Sequence, residues 1–198
     1  MKMNVIIETN WINKSIGKGI DEHYRSLERA CGSIDRAELI GLYKPLNESW
    51  NWTSFMKVDT LEKWREIDKE IHKLYPDVDK NVSQSMSRLY WGLDPGRRPP
   101  PIRDPGRLKY LVMELCLCNV DLGMQEYYAQ RCEQFTGLEG AGLLGLYAPI
   151  TEFWNAALIK LFDSLSRFIE VGTEYSKTYR RIPEITSSIE RVYERYEP

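Results

Sequence analysis

Two kinds of hydrophobic pattern alternate along the chain in a fixed order. The segment MNVIIETNWI is an apolar run of strand-like composition, and in the next segment, IGKGIDEHYRSLERAC, apolar residues recur at helical spacing. The segments AELIGLYKPL and WNWTSFMKV predict two further strands. Apolar positions between Leu61 and Leu74 form the stripe of a second helix, and a last strand is predicted around Met86 to Trp91. The order of elements is therefore β-α-β-β-α-β.

The second half of the chain repeats this pattern. The string GLYKPLNESWNW, which begins at Gly41, returns as GLYAPITEFWNA at Gly145, 104 positions later. A strand, a helix and two strands return in the same order, and a final strand is predicted from Ile189 to Tyr196. Repetition over this length indicates a duplicated domain rather than a solenoid of short units. Each copy has the ferredoxin-like order, so the predicted fold class is α+β.

A proline-rich segment, GLDPGRRPPPIRDPG, separates the two copies. Such a composition favours a stiff, extended linker of the polyproline type. We therefore predict a first ferredoxin-like repeat at residues 1–93, a Pro/Arg-rich linker at 94–106, and a second repeat at 107–198.

This architecture resembles the dimeric α+β barrel superfamily, in which two ferredoxin-like units pack sheet against sheet. The stretch GLYKPLNESWNWTSFMKVDTLEKWREI is loosely similar to the NIPSNAP and antibiotic-biosynthesis-monooxygenase members. The resemblance implies two tandem repeats packed as a pseudo-dimeric α+β barrel. It also implies cofactor-independent oxygenase, isomerase or lyase chemistry on an apolar or aromatic carbonyl-bearing compound. The histidine that many such members carry on the third strand is not matched, since Asn51 and Asn155 stand near that place.

Strand alternation divides the side chains of each strand between two faces of a sheet. The more uniformly apolar face is expected to meet the helices, which assigns Glu8 and Glu114 to the opposite face at equivalent places in the two repeats. In a ferredoxin-like sheet the first and last strands are neighbours, so Glu8 is expected to reach Arg88, and Glu114 to reach Arg191. The set expected to face the helices in the second repeat is Leu111, Met113, Leu115 and Leu117.

These four charged residues are the predicted catalytic group. A carboxylate can move a proton, and an arginine can orient a carboxylate or an enolate. The alternative is that each pair only ties neighbouring strands together. The predicted substrate-binding residues are Tyr43, Tyr147, Tyr90, Tyr193, Asn10, Trp50, Trp154, Asn51 and Asn155.

Composition excludes several other classes of protein. The net charge of −2 disfavours a nucleic-acid binder, and no apolar run approaches the roughly 20 residues that cross a bilayer. The start of the chain does not have the pattern of a signal peptide, so we expect a cytoplasmic protein. The four cysteines show no secreted disulfide framework, and Cys116 and Cys118 are interpreted as buried apolar residues.

Cofactors and partners follow from the same residues. No cofactor or metal is predicted, because no phosphate-binding glycine loop and no zinc-like ligand spacing is present. Haem held by His23 or His72 is an alternative, which the resemblance to a superfamily with haem proteins leaves open. A second alternative to an enzyme is a non-catalytic ligand-binding or assembly module. The predicted partner is a small molecule, and the chain is expected to be a monomer with an internal pseudo-dimer or a homodimer.

Overall fold

The elements of the first repeat occur in the predicted order. A computed structural model describes residues 5–13, 19–118 and 121–198 of the chain. The elements of the first half are β1 (Val5–Asn13), α1 (Ile20–Ser33), β2 (Glu38–Pro45), β3 (Trp52–Val58), α2 (Leu61–Leu74), a short α3 (Val78–Asn81) and β4 (Val82–Gly92). The last strand begins before its predicted start, and α3 was not predicted. Ile16, part of the predicted helical stripe, lies outside the described residues.

The second half repeats the order. After a 3₁₀ turn at Pro105–Arg107, its elements are β5 (Tyr110–Cys118), α4 (Asp121–Phe135), β6 (Ala141–Pro149), β7 (Ala156–Phe162), α5 (Leu165–Thr178) and β8 (Ile185–Arg195). The chain divides into two units, Met1–Trp91 with Arg195–Pro198, and Gly92–Glu194. The fold class is α+β with two βαββαβ repeats, as predicted.

Each unit contains an antiparallel sheet with its first strand next to its last. In the first unit β1 pairs with β3 and β4, and β2 pairs with β3, which gives the order β4-β1-β3-β2. In the second unit β5 pairs with β7 and β8, and β6 pairs with β7, which gives the order β8-β5-β7-β6. This shared order is the ferredoxin-like topology.

Both helices of a unit pack on one face of its sheet. In the first unit Leu27 of α1 and Ile67 of α2 share a buried core with Val5 and Ile7 of β1. Side chains cap the N-termini of helices α2 and α5. The hydroxyl of Thr60 accepts from the backbone N–H of Lys63, and Ser164 caps α5 in the same way. Within the described ranges, no helix is long and apolar enough to cross a membrane.

In the duplicated Gly-Leu-Tyr string, each glycine leaves space for the tyrosine ring on the face of the sheet away from the helices. A Cβ atom at Gly41 would lie 2.8 Å from Cε2 of Tyr43, so only glycine leaves room for this ring over the backbone. At Gly145 the corresponding distance to the ring of Tyr147 is 3.3 Å. A β-bulge precedes each glycine in the pairing of its strand.

The face assignment of β5 is wrong. Val112 and Cys116 lie in the core with α4, so Glu114 between them also faces the helices. The predicted set, Leu111 to Leu117, lies on the opposite face. The criterion failed because both faces of this strand are buried, so apolarity does not distinguish them. Leu111 and Met113 on one face and Val112 and Cys116 on the other all have zero exposure.

Candidate functional site

The predicted contact between Glu8 and Arg88 is present in the first repeat. The β1–β4 register sets the two residues opposite each other, and Nη1 of Arg88 donates to Oε1 of Glu8 at 2.6 Å. Tyr90 donates to Oε2 at 2.6 Å, and Nδ2 of Asn10 donates to Oε1 at 2.7 Å. The side chain of Glu8 has no solvent exposure. These three hydrogen-bond donors, one of them cationic, stabilise the buried carboxylate of Glu8.

The network around Glu8 extends to both sides. Oδ1 of Asn10 accepts from the hydroxyl of Thr53, and Arg88 also donates to Glu48 at 3.1 Å. Beside the network, Tyr43 is buried edge-to-face against Phe55, with ring centroids 5.6 Å apart, and burial raises the pKa of Tyr43 to about 12. This closed arrangement favours the structural alternative for Glu8 and Arg88.

The predicted contact between Glu114 and Arg191 does not form. The β5–β8 register sets Arg191 opposite Met113, and Arg191 binds Glu152 instead, with Nη2 to Oε1 at 2.6 Å and Nη1 to Oε2 at 3.0 Å. The reason is a one-residue difference in register. A slip of one residue along a strand moves every side chain to the other face.

Strand pairing gives the true equivalences. Val5 opposes Val58 in the first sheet, whereas Tyr110 opposes Phe162 in the second. The equivalent of Glu8 is therefore Met113, and the equivalent of Glu114 is Thr9. On the face away from the helices, Leu115 and Ala157 likewise stand where the first repeat has Asn10 and Thr53. The buried Tyr193 and Tyr147 keep the places of Tyr90 and Tyr43.

Glu114 belongs to a charged cluster on the helix-facing side of the second sheet. Its Oε2 lies 2.8 Å from Nζ of Lys160 on β7 and 3.4 Å from Nη2 of Arg131 on α4. Its Oε1 accepts from the hydroxyl of Tyr127, which in turn accepts from Nη2 of Arg131 at 2.7 Å. All four residues are buried. Lys160 also binds Glu190 on β8, at 3.0 Å.

The groups of this cluster shift one another's pKa values. Burial alone would raise the pKa of Glu114, but Lys160 and Arg131, with hydrogen bonds from Lys160 and Tyr127, lower it to about 2. Burial and the neighbouring carboxylate raise the pKa of the Tyr127 hydroxyl well above its ordinary value. The guanidinium carbon of Arg131 lies 3.6 Å from the centroid of the Tyr175 ring, a close cation–π contact.

Two cavities of about 280 Å³ each adjoin this cluster and share Arg131. The first, which we call the lysine cavity, is lined by Arg131, Lys160, Phe162, Phe168 and Glu190 together with the adjoining face of α5. The second, which we call the glutamate cavity, is lined by Glu114, Tyr127, Arg131, Tyr175 and Arg181 together with the start of β8. Both are close to the lower limit of about 300 Å³ for small-molecule sites.

The equivalent place in the first repeat holds a smaller cavity of about 150 Å³, whose described lining contains no lysine or arginine. His23, the equivalent of Tyr127, lines it with its ring 4.5 Å from that of Trp11. Burial lowers the pKa of His23 to about 4, so this ring is neutral at pH 7. His72 lies on the exposed side of α2, where Nδ1 is 2.8 Å from the carbonyl oxygen of Asp68.

The remaining predicted binding residues lie in the turns between the second and third strands of each repeat. The backbone N–H groups of Asn51 and Asn155 donate to the carbonyls of Trp11 and Cys116, each at 3.2 Å. The side chain of Asn155 also accepts from the backbone N–H of Cys118 and donates to its carbonyl oxygen. Trp50 and Trp154 are half-buried. Among the described residues that line the three cavities, none of these four is present.

Sequence reasoning missed Arg131, Lys160 and Tyr127. One signal was available, because Lys160 is the only charged residue in the strand AALIKLF, whose other members are apolar. A charge in such a strand is rarely buried without a partner. In the described part of the chain, no group of three or more His, Cys, Asp or Glu residues is arranged to hold a metal ion.

Comparison with known proteins identifies the fold. No family model and no curated protein sequence matches the chain. A variant of chlorite dismutase from Candidatus Nitrospira defluvii superposes with a TM-score of 0.63 at 7% identity, over 97% of this chain and 91% of that one. A candidate monooxygenase from Lactobacillus acidophilus gives 0.62 at 9% identity, over 98% and 94%. A second candidate monooxygenase, from Fusobacterium nucleatum, gives 0.61 at 8% identity, over 98% and 93%.

Likeness at this level of identity shows the fold alone. The match covers both repeats, and each repeat has the ferredoxin-like topology. The chain therefore has the dimeric α+β barrel (ferredoxin-like) fold that its sequence predicted.

Proposed function

We propose that this chain is a small-molecule-binding protein whose second repeat recognises an anionic group, a carboxylate or an enolate, in the lysine cavity. One observation carries the proposal. Lys160 and Arg131 are 3% and 7% exposed, yet both line a cavity large enough for a small molecule. Buried cations of this kind occur mainly where they pair with an anion.

The balance of charges in the cluster permits a second anion to bind. Glu114 is ionised, but it is a single carboxylate between two cations. The other anionic partner of Lys160 is Glu190, whose side chain is 38% exposed. An incoming anion can replace this rim carboxylate, which then returns to water at small cost.

Aromatic side chains supply the apolar part of the site. Phe162 and Phe168 line the lysine cavity, and Nζ of Lys160 lies 5.8 Å from the centroid of the Phe168 ring. A flat ligand with an anionic end fits these walls. An aromatic carboxylate such as benzoate is therefore the appropriate probe.

The enzymatic form of the proposal keeps the chemistry that the sequence predicted, a cofactor-independent oxygenase, isomerase or lyase. Two fixed cations stabilise the negative charge that develops when a carbonyl compound forms an enolate. Glu114, with a pKa of about 2, is a weak base at neutral pH, so we assign it the role of holding Lys160 and Arg131 in position. Catalytic roles for Glu8, Arg88 and Arg191 remain predictions of the sequence. The structural neighbours carry the names of enzymes that act on small molecules, which supports this form.

The two histidines considered as haem ligands, His23 and His72, are not placed to hold haem. His23 lines a cavity of about 150 Å³, half the lower limit for drug-sized ligands, and haem is larger than most of these. His72 is exposed and its Nδ1 contacts the backbone of Asp68. The chain has only these two histidines, and both belong to the first repeat, so neither lines the two larger cavities. We derive no step through haem.

Titration with 4-fluorobenzoate, followed by ¹⁹F NMR, tests the proposal. We expect saturable binding, roughly 10- to 100-fold weaker binding to Lys160→Met because a charge-assisted contact is lost, and tighter binding to Glu190→Gln because a competing anion is removed. The neutral analogue 4-fluorobenzamide is the matched control and should bind much more weakly. Unchanged affinity in both variants, or equal binding of the amide, would contradict the proposal.

A further inference from the structure

The cavity of the first repeat contains two nitrogen atoms that lack partners. Trp11 and His23 are 3% and 8% exposed, and both line the cavity. Within the part of the chain that the structure describes, neither Nε1 of Trp11 nor Nδ1 of His23 has a hydrogen-bond partner. Buried polar groups are nearly always satisfied in native proteins, so each unpartnered nitrogen requires an explanation. Their rings pack edge to face with centroids 4.5 Å apart, so the two unpartnered groups belong to neighbouring side chains of one cavity.

The electrostatics of this cavity select a neutral ligand. Its described lining contains no lysine or arginine. Asp68 and His72 also line it, with Nδ1 of His72 3.8 Å from Oδ1 of Asp68, and the Asp68 side chain, which is 63% exposed, repels anions. His23 is neutral at pH 7, because burial lowers its pKa to about 4. Thr9 and Ser87, which stand where the second repeat has Glu114 and Glu190, bind each other at 3.1 Å and add no charge.

The size and walls of the cavity select a single ring. Its volume of about 150 Å³ equals that of an engineered apolar cavity that binds benzene. Its lining includes Leu27, Met56 and Ile67, which we call the apolar wall, and the rings of Trp11 and His23, which pack edge to face. A monocyclic compound fits this volume.

We propose that the first-repeat cavity binds a neutral, single-ring molecule that carries a hydroxyl group, of which phenol is the simplest example. The hydroxyl oxygen accepts from Nε1–H of Trp11 and donates its proton to Nδ1 of His23, with the ring against the apolar wall. This site is separate from the lysine cavity, and the proposal does not depend on the one made for the second repeat.

Binding of 4-fluorophenol to the wild-type chain, followed by ¹⁹F NMR and by the ¹⁵N–¹H resonance of the Trp11 indole, tests this inference directly. We expect saturable binding, a shift of the Trp11 indole resonance, and at least 10-fold weaker binding of fluorobenzene, which lacks the hydroxyl. Three results would each overturn the proposal: no saturable binding, with only water contacting the indole; equal binding of fluorobenzene; or an unmoved Trp11 resonance.

A matched pair of tryptophan substitutions separates the ligand contact from general packing. Trp11→Phe removes the N–H at the cavity and should weaken 4-fluorophenol binding about 10-fold. Trp52→Phe is the control, because Nε1 of Trp52 is also buried without a partner among the described residues but Trp52 is not part of the cavity lining. Equal losses in the two variants would contradict the assigned contact.

Discussion

The helix-facing sides of the two sheets carry opposite chemistry at equivalent positions. In the first repeat these positions are uncharged side chains around a small cavity, and in the second they form a buried charged cluster beside two larger cavities. The equivalent pairs are Thr9 and Glu114, His23 and Tyr127, Leu27 and Arg131, Met56 and Lys160, and Ser87 and Glu190. Five substitutions on one framework therefore separate the two sites that we propose, one for a neutral ligand and one for an anion.

The opposite faces show the reverse distribution. There the first repeat contains the network of Glu8, Asn10 and Arg88, and the second has apolar residues beside the pair of Arg191 and Glu152. Each repeat thus has one fully or nearly fully buried carboxylate on its first strand, but on different faces. The difference teaches that strand register, not the presence of a glutamate in a matching segment, decides which chemistry a repeat can carry.

The largest predicted difference concerns the two arginines of the last strands. Arg88→Met leaves the fully buried Glu8 without its cation and should cost about 3–5 kcal/mol of unfolding free energy. Arg191→Met should cost only about 1–2 kcal/mol, because Met113 stands in the place of Glu8 and Glu152 can turn towards water. Urea unfolding of the two variants measures both values. Equal costs would contradict the assigned equivalence.

The second prediction concerns acid stability in the second repeat. The pKa of Glu114 is lowered from 4.5 to about 2 in the folded chain, so its contribution is fully present above pH 4.5 and is lost as the pH falls towards 2. The loss should amount to about 3 kcal/mol. Unfolding measured at several pH values should show a flatter profile in this window for Glu114→Gln. A profile identical to that of the wild type would exclude the predicted shift.

The third prediction is that His23 in the first repeat changes the stability of the chain over a different pH range. The pKa of His23 is lowered from 6.5 to about 4, so the unfolded chain binds a proton here before the folded chain does. Stability should fall by about 3 kcal/mol as the pH decreases from 6.5 to 4. His23→Gln should remove this slope and leave the lower window of Glu114 intact. Persistence of the slope in the variant would assign it to another group.

Sequence reasoning succeeded where a local rule and the repeat agreed. The order of elements follows from hydrophobic period, and the contact of Glu8 with Arg88 from topology and alternation. Each of these depends on information within one repeat. The alignment of the strings at Gly41 and Gly145 also identifies the duplication without any structure.

The prediction failed where tertiary packing decides. Both faces of β5 are buried, so its pattern cannot indicate which face carries Glu114. In addition, the first strand and the first helix of the second repeat are offset from their counterparts by numbers of residues that differ by one, and an ungapped alignment does not reveal this difference. Arg131 and Lys160 belong to α4 and β7, and only the packing of that helix on that strand brings them to Glu114. Their common function is a property of the folded unit.

The smallest predicted difference concerns the duplicated glycines. Gly41→Ala should cost about 1–3 kcal/mol, because the new methyl group meets the ring of Tyr43, which is 1% exposed and has no room to move. Gly145→Ala should cost roughly half as much, since the ring of Tyr147 lies 0.5 Å further away, at 3.3 Å rather than 2.8 Å. Thermal unfolding of both variants compares them. The reverse order would contradict the described packing.

The position of Glu114 is the central claim, and its pKa tests that claim most directly. Carbon-13 NMR of glutamate-labelled protein, with Glu114 assigned by comparison with Glu114→Gln, gives the pKa in the wild type, in Lys160→Met and in Arg191→Met. The account predicts a value of about 2 that rises in Lys160→Met and stays unchanged in Arg191→Met. A pKa that responds to Arg191→Met and not to Lys160→Met would show that Glu114 lies on the other face of its sheet.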